Sequence, residues 1–387
     1  MKTIKLSITE DYVSHWSWWE GTRELIQNAI DTGDYEVKFL DEENAITIVS
    51  RGGKVPNNAL LLGKSSKKGD NTKIGKFGEG MKLGFLVLLR EGAEVFMHNH
   101  DEFWEPALVY DPEFDAKILE VEISDFYESG RTDEVTIVIK NIPVDAMKEI
   151  KSNYAPTSGA EVVIENSSGK AYKKGKADNQ KCNIFVNGLY VTTLTIGKYK
   201  FDYDFKPSVI TLDRDRDSVG EFEVKYHACR ILEGSDDIEL LATLMLESYD
   251  DLAYFNGRRK SPSGSSYGGY YSSGEDEDLN DKAITLFYEK YGDNAYPLNN
   301  NWTDGKKRIV GQAAVSKGYL PTTVSENVYK LIQKEFAVDD QLEEMLSFKP
   351  LNFLEKFLEK HGRNLYSKAR KELQKAIETL RIAEGKE

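Results

Sequence analysis

One row of polar side chains on a predicted helix constrains this sequence more than any other feature. In the stretch from Glu24 to Asp31, Glu24, Asn28 and Asp31 follow one another at spacings of four and three. Residues at these spacings share one face of an α-helix, whereas Leu25 and Ala29 can turn toward a core. Two carboxylates and an amide in one row suit either a solvent-exposed polar stripe or a site for a charged ligand.

A glycine-rich segment, KIGKFGEGMKLG at residues 73–84, follows later in the chain. Gly75, Gly78 and Gly80 allow the backbone to approach a ligand closely. The apolar run that starts at Met81 predicts a helix, whose first N–H groups have no acceptor within the helix. Glycines leading into a helix N-terminus are typical of a phosphate cradle. The pattern is neither a Walker A motif nor a dinucleotide fingerprint.

In this order, the two motifs resemble those of the GHKL ATPase superfamily. Its members include gyrase B subunits, MutL-type mismatch-repair ATPases, the large heat-shock chaperones, histidine kinases and the microrchidia (MORC) ATPases. Residues 24–31 are similar to the N-box, Glu-x-x-x-Asn-Ala-x-Asp, and residues 74–82 to the second glycine box in its MORC and chaperone forms. The resemblance covers residues 1–215 and implies a Bergerat-type α+β sandwich, with helices on one face of a mixed sheet, that binds ATP and Mg²⁺.

The resemblance implies a role for each polar residue of the N-box. Glu24 is the expected catalytic residue, because a carboxylate there orients or deprotonates the water that attacks the γ-phosphate. Asn28 is expected to supply a neutral oxygen ligand to Mg²⁺, which prefers oxygen ligands. Asp31 is expected to brace the helix or the edge of the nucleotide.

The second glycine box supplies the predicted phosphate contacts. Backbone amides around Gly78 and Gly80, together with Lys82 and Lys76, are expected to neutralise the phosphates. The other ATP-binding residues predicted in this box are Gly75, Phe77, Glu79 and Met81.

The segment Ser50–Pro56 matches by position the family's first glycine box, Asp-x-Gly-x-Gly-x-Pro, with two departures. The family's aspartate, which accepts a hydrogen bond from the adenine amino group, falls on Ser50, and the second glycine falls on Lys54. A serine hydroxyl can accept that bond but carries no charge, so we expect weak or relaxed base specificity. The predicted nucleotide contacts here are Ser50, Gly52 and Lys54, with Thr136 in a later strand resembling the family's strand threonine near the adenine.

Two further basic segments fall at positions where the family contacts phosphate. Residues 60–71 match the ATP lid, and we predict contacts from Ser65 and Lys67, although a solvated loop has the same composition. The segment Asp-Arg-Asp-Arg-Asp follows predicted strands that resemble the transducer domain, in which a basic residue reaches the γ-phosphate. Arg214 and Arg216 are the candidates for this catalytic contact, with Lys198 and Lys206 next; a local salt-bridge ladder is the alternative.

The 387 residues are expected to form three domains and a linker. The predicted limits are 1–145 for the ATP-binding domain, 146–255 for a transducer-like α/β domain, 256–278 for a flexible acidic linker rich in Ser, Gly and Tyr, and 279–387 for a helical C-terminal region. The apolar stripe of the last predicted helix fits an intrachain core or a face for an unidentified protein partner. The family resemblance also implies a nucleotide-dependent homodimer.

Composition restricts the other partners. The net charge of −14 does not indicate binding to nucleic acid, although local patches can still bind it. The sequence has no apolar run of transmembrane length and no signal-peptide pattern, so we expect a cytoplasmic protein. Its two cysteines suit a reducing compartment and have no metal-binding spacing.

The sequence therefore predicts a Mg²⁺-dependent ATP-binding protein that hydrolyses ATP slowly and acts as a nucleotide-driven conformational switch. The alternative is a nucleotide-binding interaction protein without hydrolysis, which Ser50 suggests. A histidine-type kinase is disfavoured because no phospho-acceptor helix with a His-Glu pair is visible. We do not expect a topoisomerase, since 387 residues leave no room for a cleavage domain.

Overall fold

The structure is a computed structural model that describes residues 1–61, 79–125, 133–174, 181–213, 217–255, 276–333, 335–336 and 350–383. The chain divides into two compact units, Met1–Asp236 with Ser248–Ser273 and Asp237–Glu247 with Gly274–Glu387. This division does not test the predicted domain limits, which stay predictions.

A seven-stranded sheet forms the first layer of the larger unit. Its strands are β1 (Lys2–Thr9), β2 (Tyr35–Leu40), β3 (Ala45–Ser50), β4 (Glu94–Asn99), β5 (Glu102–Asp111), β6 (Ala116–Asp125) and β7 (Val135–Lys140). They lie in the order β1-β6-β5-β4-β7-β3-β2, and every neighbouring pair of these described strands is antiparallel. The prediction of a mixed sheet is therefore wrong for this layer. Short turns join β2 to β3, β4 to β5 and β5 to β6, and a parallel pair would require a long crossover.

Three helices cover one face of this sheet: α1 (Trp18–Ile30), α2 (Gly80–Arg90) and α3 (Val144–Asn153). Val135, Ile137 and Ile139 of β7 point into the hydrophobic core that these helices share with the sheet. Successive side chains alternate across a strand, so the residues between them lie on the other face. This helix-on-sheet arrangement agrees with the predicted α+β class.

Helices α1 and α2 approach each other closely because glycines lie at their contact. A Cβ added at Gly84 would lie 2.9 Å from the backbone oxygen of Gly21 and 2.9 Å from Leu25 Cδ2. No larger side chain fits there unless the helices separate. The close approach brings the first turn of α2 against the polar face of α1.

A second, five-stranded sheet completes the larger unit. Its strands are β8 (Val162–Glu165), β9 (Gly169–Lys173), β10 (Cys182–Val186), β11 (Leu189–Leu194) and β12 (Phe201–Phe205), in the order β11-β10-β12-β9-β8. Strands β10 and β12 are parallel, whereas the other neighbours are antiparallel, so this is the mixed sheet of the molecule. Helix α4 (Glu221–Leu232) accompanies it, in agreement with the predicted α/β character of this region.

The smaller unit contains strands as well as helices. Its elements are α5 (Ile238–Leu246), α6 (Glu277–Tyr291), β13 (Ala295–Asn299), α7 (Asp304–Ser316), β14 (Leu320–Val324), α8 (Glu326–Ile332), α9 (Pro350–His361) and α10 (Ser367–Ala383). Because β13 and β14 form a parallel pair across α7, the predicted purely helical C-terminal region needs correction. Each strand is five residues long and contains a proline, which is uncommon within strands. No helix in the described part of the chain is both long and apolar enough to cross a membrane.

A buried aspartate in the second sheet makes stability depend on pH. Asp204 on β12 is 7% exposed, and its carboxylate accepts hydrogen bonds from the Gly188 N–H and the Tyr172 hydroxyl. Burial raises its pKa to about 6, above the usual aspartate range. The folded protein thus holds this proton more tightly than the unfolded chain, so stability is lost as pH rises through 6.

We expect Asp204→Asn to remove this loss, because the amide oxygen still accepts the Gly188 N–H without carrying charge. Relative to wild type, the variant should gain about 2 kcal/mol between pH 4.5 and pH 7. Urea unfolding at both pH values measures the difference, with the exposed Asp145→Asn as control. An unchanged difference between the two pH values would show that Asp204 does not titrate in this window.

Candidate functional site

The first turn of α2 lies directly against Glu24 and Asn28 on α1. A Cβ added at Gly80 would collide with Glu24 Oε2 and lie 3.8 Å from Asn28 Nδ2. The φ angle of Gly80 is outside the left-handed region, so the glycine is required by this close approach and not by backbone conformation. The structure therefore brings the N-box and the end of the second glycine box to one point.

Glu24 is held inside the protein with its two oxygens facing different partners. Its side chain is 4% exposed, and Oε1 accepts a hydrogen bond from Arg23 Nη2 at 3.4 Å, while Oε2 faces Gly80. The Arg23 guanidinium lies 5.4 Å from the centre of the Trp16 ring. A buried carboxylate needs a partner for its oxygens, and Arg23 supplies one for Glu24 Oε1.

The local sequence explains why α1 presents this face. The Ser17 N–H donates to Glu20 Oε2 at 2.8 Å, which starts the helix one residue later. Asn28 is half-buried, and its Nδ2 donates to the backbone oxygen of Glu24 at 2.9 Å. This bond orients the amide, so that Oδ1, the atom needed for a metal ligand, points away from that carbonyl. Asp31, 7% exposed, follows the last residue of α1.

The first glycine box places Ser50 on the helix-facing side of the sheet. Ser50 ends β3 in register with Val135 and is half-buried. Gly52 packs against Thr32, just beyond the end of α1. The ammonium of Lys54 instead pairs with two acidic side chains at the turn between β4 and β5, at 2.6 and 3.0 Å. The structure thus brings Ser50 and Gly52 toward α1, whereas the side chain of Lys54 is held in ion pairs at the turn between β4 and β5.

Thr136 lies on the opposite face of the sheet from Ser50. It pairs with Val49 on β3 and His98 on β4, whereas the flanking residues Val135 and Ile137 enter the core. The structure does not bring Thr136 together with Glu24 and Gly80.

Lys82 contacts backbone carbonyls. Its side chain is 1% exposed, and Nζ donates to the backbone oxygens of Ala59 at 2.8 Å and Leu61 at 2.9 Å. Burial lowers its pKa from the usual lysine value. In the same helix turn, Met81 packs against the core, and Glu79 immediately precedes the helix.

Several predicted site residues lie outside the described residues. They are Ser65, Lys67, Gly75, Lys76, Phe77, Gly78, Arg214 and Arg216. Lys198, the next candidate for the γ-phosphate contact, has its ammonium 4.2 Å from the centre of the Tyr249 ring. The roles of all these residues stay predictions.

Two residues that contribute to this geometry were not predicted. One is Arg23, beside Glu24 in sequence; the other is Asn99, which is fully buried at the end of β4. Asn99 accepts the Val55 N–H and donates to the Val55 oxygen, both at 2.8 Å, and so fastens the segment after Ser50. Arg23 could have been found from the sequence, because it is a charged residue directly before Glu24. No sequence pattern marks Asn99.

No protein-family model matches the sequence, and no curated protein matches it. Among solved structures, the crystal structure of the ATPase region of Saccharomyces cerevisiae topoisomerase II is similar, with a TM-score of 0.31 and 12% identity. That match covers 44% of this chain and 62% of the yeast chain, less than two thirds of its length. The same region bound to ICRF-187 (dexrazoxane) matches with a TM-score of 0.34 and 11% identity, over 52% of this chain and 77% of that one.

Proposed function

We propose that this chain binds ATP with Mg²⁺, hydrolyses it slowly and acts as a nucleotide-driven conformational switch. The observation that supports this most strongly is the contact of Gly80 with Glu24 and Asn28. It joins a helix N-terminus, which attracts anions, to a carboxylate and an amide that suit water activation and metal binding. An ordinary polar stripe facing solvent would not be buried in this way.

The start of α2 fits a phosphate group. The first N–H groups of a helix point along its axis, and the helix dipole favours negative charge there. Gly80 adds no side chain, so a ligand and Glu24 can both approach this turn. A phosphate bound there would meet backbone N–H donors on one side and the polar face of α1 on the other.

Glu24 is the proposed general base. Its Oε2 faces the start of α2, and Arg23 holds Oε1. A water between Glu24 and the terminal phosphate would give up a proton to Oε2 as its oxygen attacks phosphorus, while the bond from that phosphorus to the bridging oxygen breaks and ADP leaves. Arg23 keeps the carboxylate oriented, because one oxygen stays bonded while the other takes the proton.

Asn28 is the proposed protein ligand for Mg²⁺. The described residues contain no group of three His, Cys, Asp or Glu side chains that could hold a metal alone. This suits Mg²⁺ bound through one protein oxygen, phosphate oxygens and waters. When bound, the ion would neutralise phosphate charge, and the Nδ2 bond to Glu24 O fixes the Asn28 amide whose oxygen would serve as the ligand.

The switch itself depends on a contact that ADP cannot make. Arg214 or Arg216 is the proposed sensor of the γ-phosphate, since a guanidinium matches phosphate oxygens and a ligand shifts a conformation only through differential contacts. A nucleotide-dependent homodimer and a protein partner of the C-terminal region belong to this proposal. A nucleotide-binding protein without hydrolysis is the second candidate, favoured by the uncharged Ser50 on the helix-facing side of β3.

We expect Asn28→Ala to lose the part of ATP affinity that depends on Mg²⁺, because the metal loses its protein oxygen. The loss should be about tenfold or more, and affinity measured in EDTA should change little. Isothermal titration calorimetry with ATP in the presence and absence of Mg²⁺ measures it. Asn352→Ala, an exposed asparagine on α9, is the control.

Equal Mg²⁺-ATP affinity in wild type and Asn28→Ala would reject the metal role. Phosphate release measured in parallel separates the two candidate functions: binding without turnover in the wild type favours the non-hydrolysing alternative. Absence of any ATP binding in the wild type would reject both.

A further inference from the structure

A buried lysine in the first turns of α2 does not fit the role that its position in the glycine box predicts. The side chain of Lys82 is among the largest fully buried side chains of the described chain. An ammonium group in the interior is costly unless hydrogen bonds and charges compensate it. Here the compensation includes the backbone oxygens of Ala59 and Leu61, at 2.8 and 2.9 Å. Two of the three N–H donors of the ammonium are thus taken by the protein's own backbone.

The segment that Lys82 holds runs from the end of β3 to Leu61. Near the start of this segment, the Asn99 side chain accepts a hydrogen bond from the Val55 N–H and donates one to the Val55 oxygen. Near its far end, a short 3₁₀ turn over residues 57–60 places Leu60 in the core with 3% exposure. Lys82 donates hydrogen bonds to the carbonyls on either side of Leu60. It therefore fastens residues 57–61, which we call the wall, to α2 at a point two residues beyond Gly80.

We propose that Lys82 is a positioning residue: it fixes the wall formed by residues 57–61 against the start of α2 and does not bind phosphate. The inference rests on the proposed nucleotide function, which places a phosphate at the start of α2, the helix to which this wall is fastened. The Lys82 ammonium donates to the oxygens of Ala59 and Leu61 and so holds their backbone against α2. Lys82 acts on any bound nucleotide through the backbone that it holds.

The first experiment needs no nucleotide. Hydrogen exchange of peptides covering residues 57–61 is compared between wild type and Lys82→Met, which keeps the length of the side chain and removes its donors. A tether predicts exchange about tenfold faster in this segment, the factor that corresponds to about 1.4 kcal/mol. Exchange in β5 and β6 should not change. Lys38→Met, at an exposed lysine of β2, is the matched control.

The second experiment compares ligands with and without phosphates. If Lys82→Met only loosens the wall, the affinities of the variant for ATP and for adenosine should fall by the same factor. If Lys82 instead binds phosphate, the affinity of the variant for adenosine should not change. Lys82→Gln is measured alongside, since its neutral amide keeps two N–H donors on a shorter side chain and should give intermediate exchange. If the Met variant does not fold, the Gln variant carries the comparison.

Unchanged exchange of residues 57–61 in a folded Lys82 variant would overturn the proposal. A loss of ATP affinity at least tenfold larger than the loss for adenosine would also overturn it, because such a loss identifies a phosphate contact. If the wild type binds neither ligand, the proposed function fails, and the exchange measurement still decides whether Lys82 is a tether.

Discussion

Replacing Glu24 by alanine is expected to abolish ATP turnover while leaving ATP affinity nearly unchanged. The carboxylate acts on water and not on the nucleotide, so its loss removes proton transfer, which is worth about a hundredfold to ten-thousandfold in rate. Phosphate release under single-turnover conditions measures the rate, and calorimetry with Mg²⁺-ATP measures binding. Wild-type turnover that persists in the variant would sink the catalytic assignment.

A second substitution separates chemistry from folding. Alanine leaves buried Arg23 without the Glu24 oxygen at 3.4 Å, and removing one partner of a buried pair can cost several kcal/mol. Glu24→Gln keeps the volume and an oxygen that can accept from Arg23, but it is not a base. We expect it to match the alanine variant in turnover and wild type in thermal stability. Glu36→Gln, at a more exposed glutamate of β2, controls for the loss of one charge.

The helices that carry the two motifs were predictable from local periodicity, whereas the family resemblance implied that the motifs meet in one site. The spacing of Glu24 and Asn28 places them on one helix face, and the apolar run from Met81 predicts a second helix, which begins one residue earlier, at Gly80. Their juxtaposition, with Gly80 against Glu24 Oε2, follows once both helices pack on the same sheet. The α+β class was predictable for the same reason.

Contacts between distant segments were not predictable in this way. Lys82 matches a phosphate-binding position in the motif, yet its bonds go to Ala59 and Leu61, which no helical or strand pattern relates to it. Thr136 is a different case. The alternation of Val135 and Ile137 already places the residue between them on the other face of the strand, but the family resemblance favoured a nucleotide contact there.

Changing Gly80 to alanine or valine is expected to remove nucleotide turnover without unfolding the protein. The added Cβ collides with Glu24 Oε2, which is the end of a flexible side chain, so the carboxylate shifts before the backbone does. The cost in unfolding free energy should stay within about 1–3 kcal/mol. Displacing a catalytic group by an ångström costs about a hundredfold in rate. Valine, whose branches also reach toward Asn28 and the phosphate cradle, should lose ATP binding as well.

The cause of the Gly80 effect can be tested without assuming catalysis. In a Glu24→Ala background the colliding oxygen is absent, so Gly80→Ala should destabilise the protein less than it does in wild type, a difference that a double-mutant cycle measures by urea unfolding. Gly305→Ala is the matched control, since Gly305 also lies in the first turn of a helix but would place its Cβ with nothing within 4 Å. Equal destabilisation in both backgrounds would mean that the collision with Glu24 is not what excludes a side chain at residue 80. Retained ATP binding by the valine variant, with an unchanged melting temperature, would count against a phosphate cradle at the start of α2.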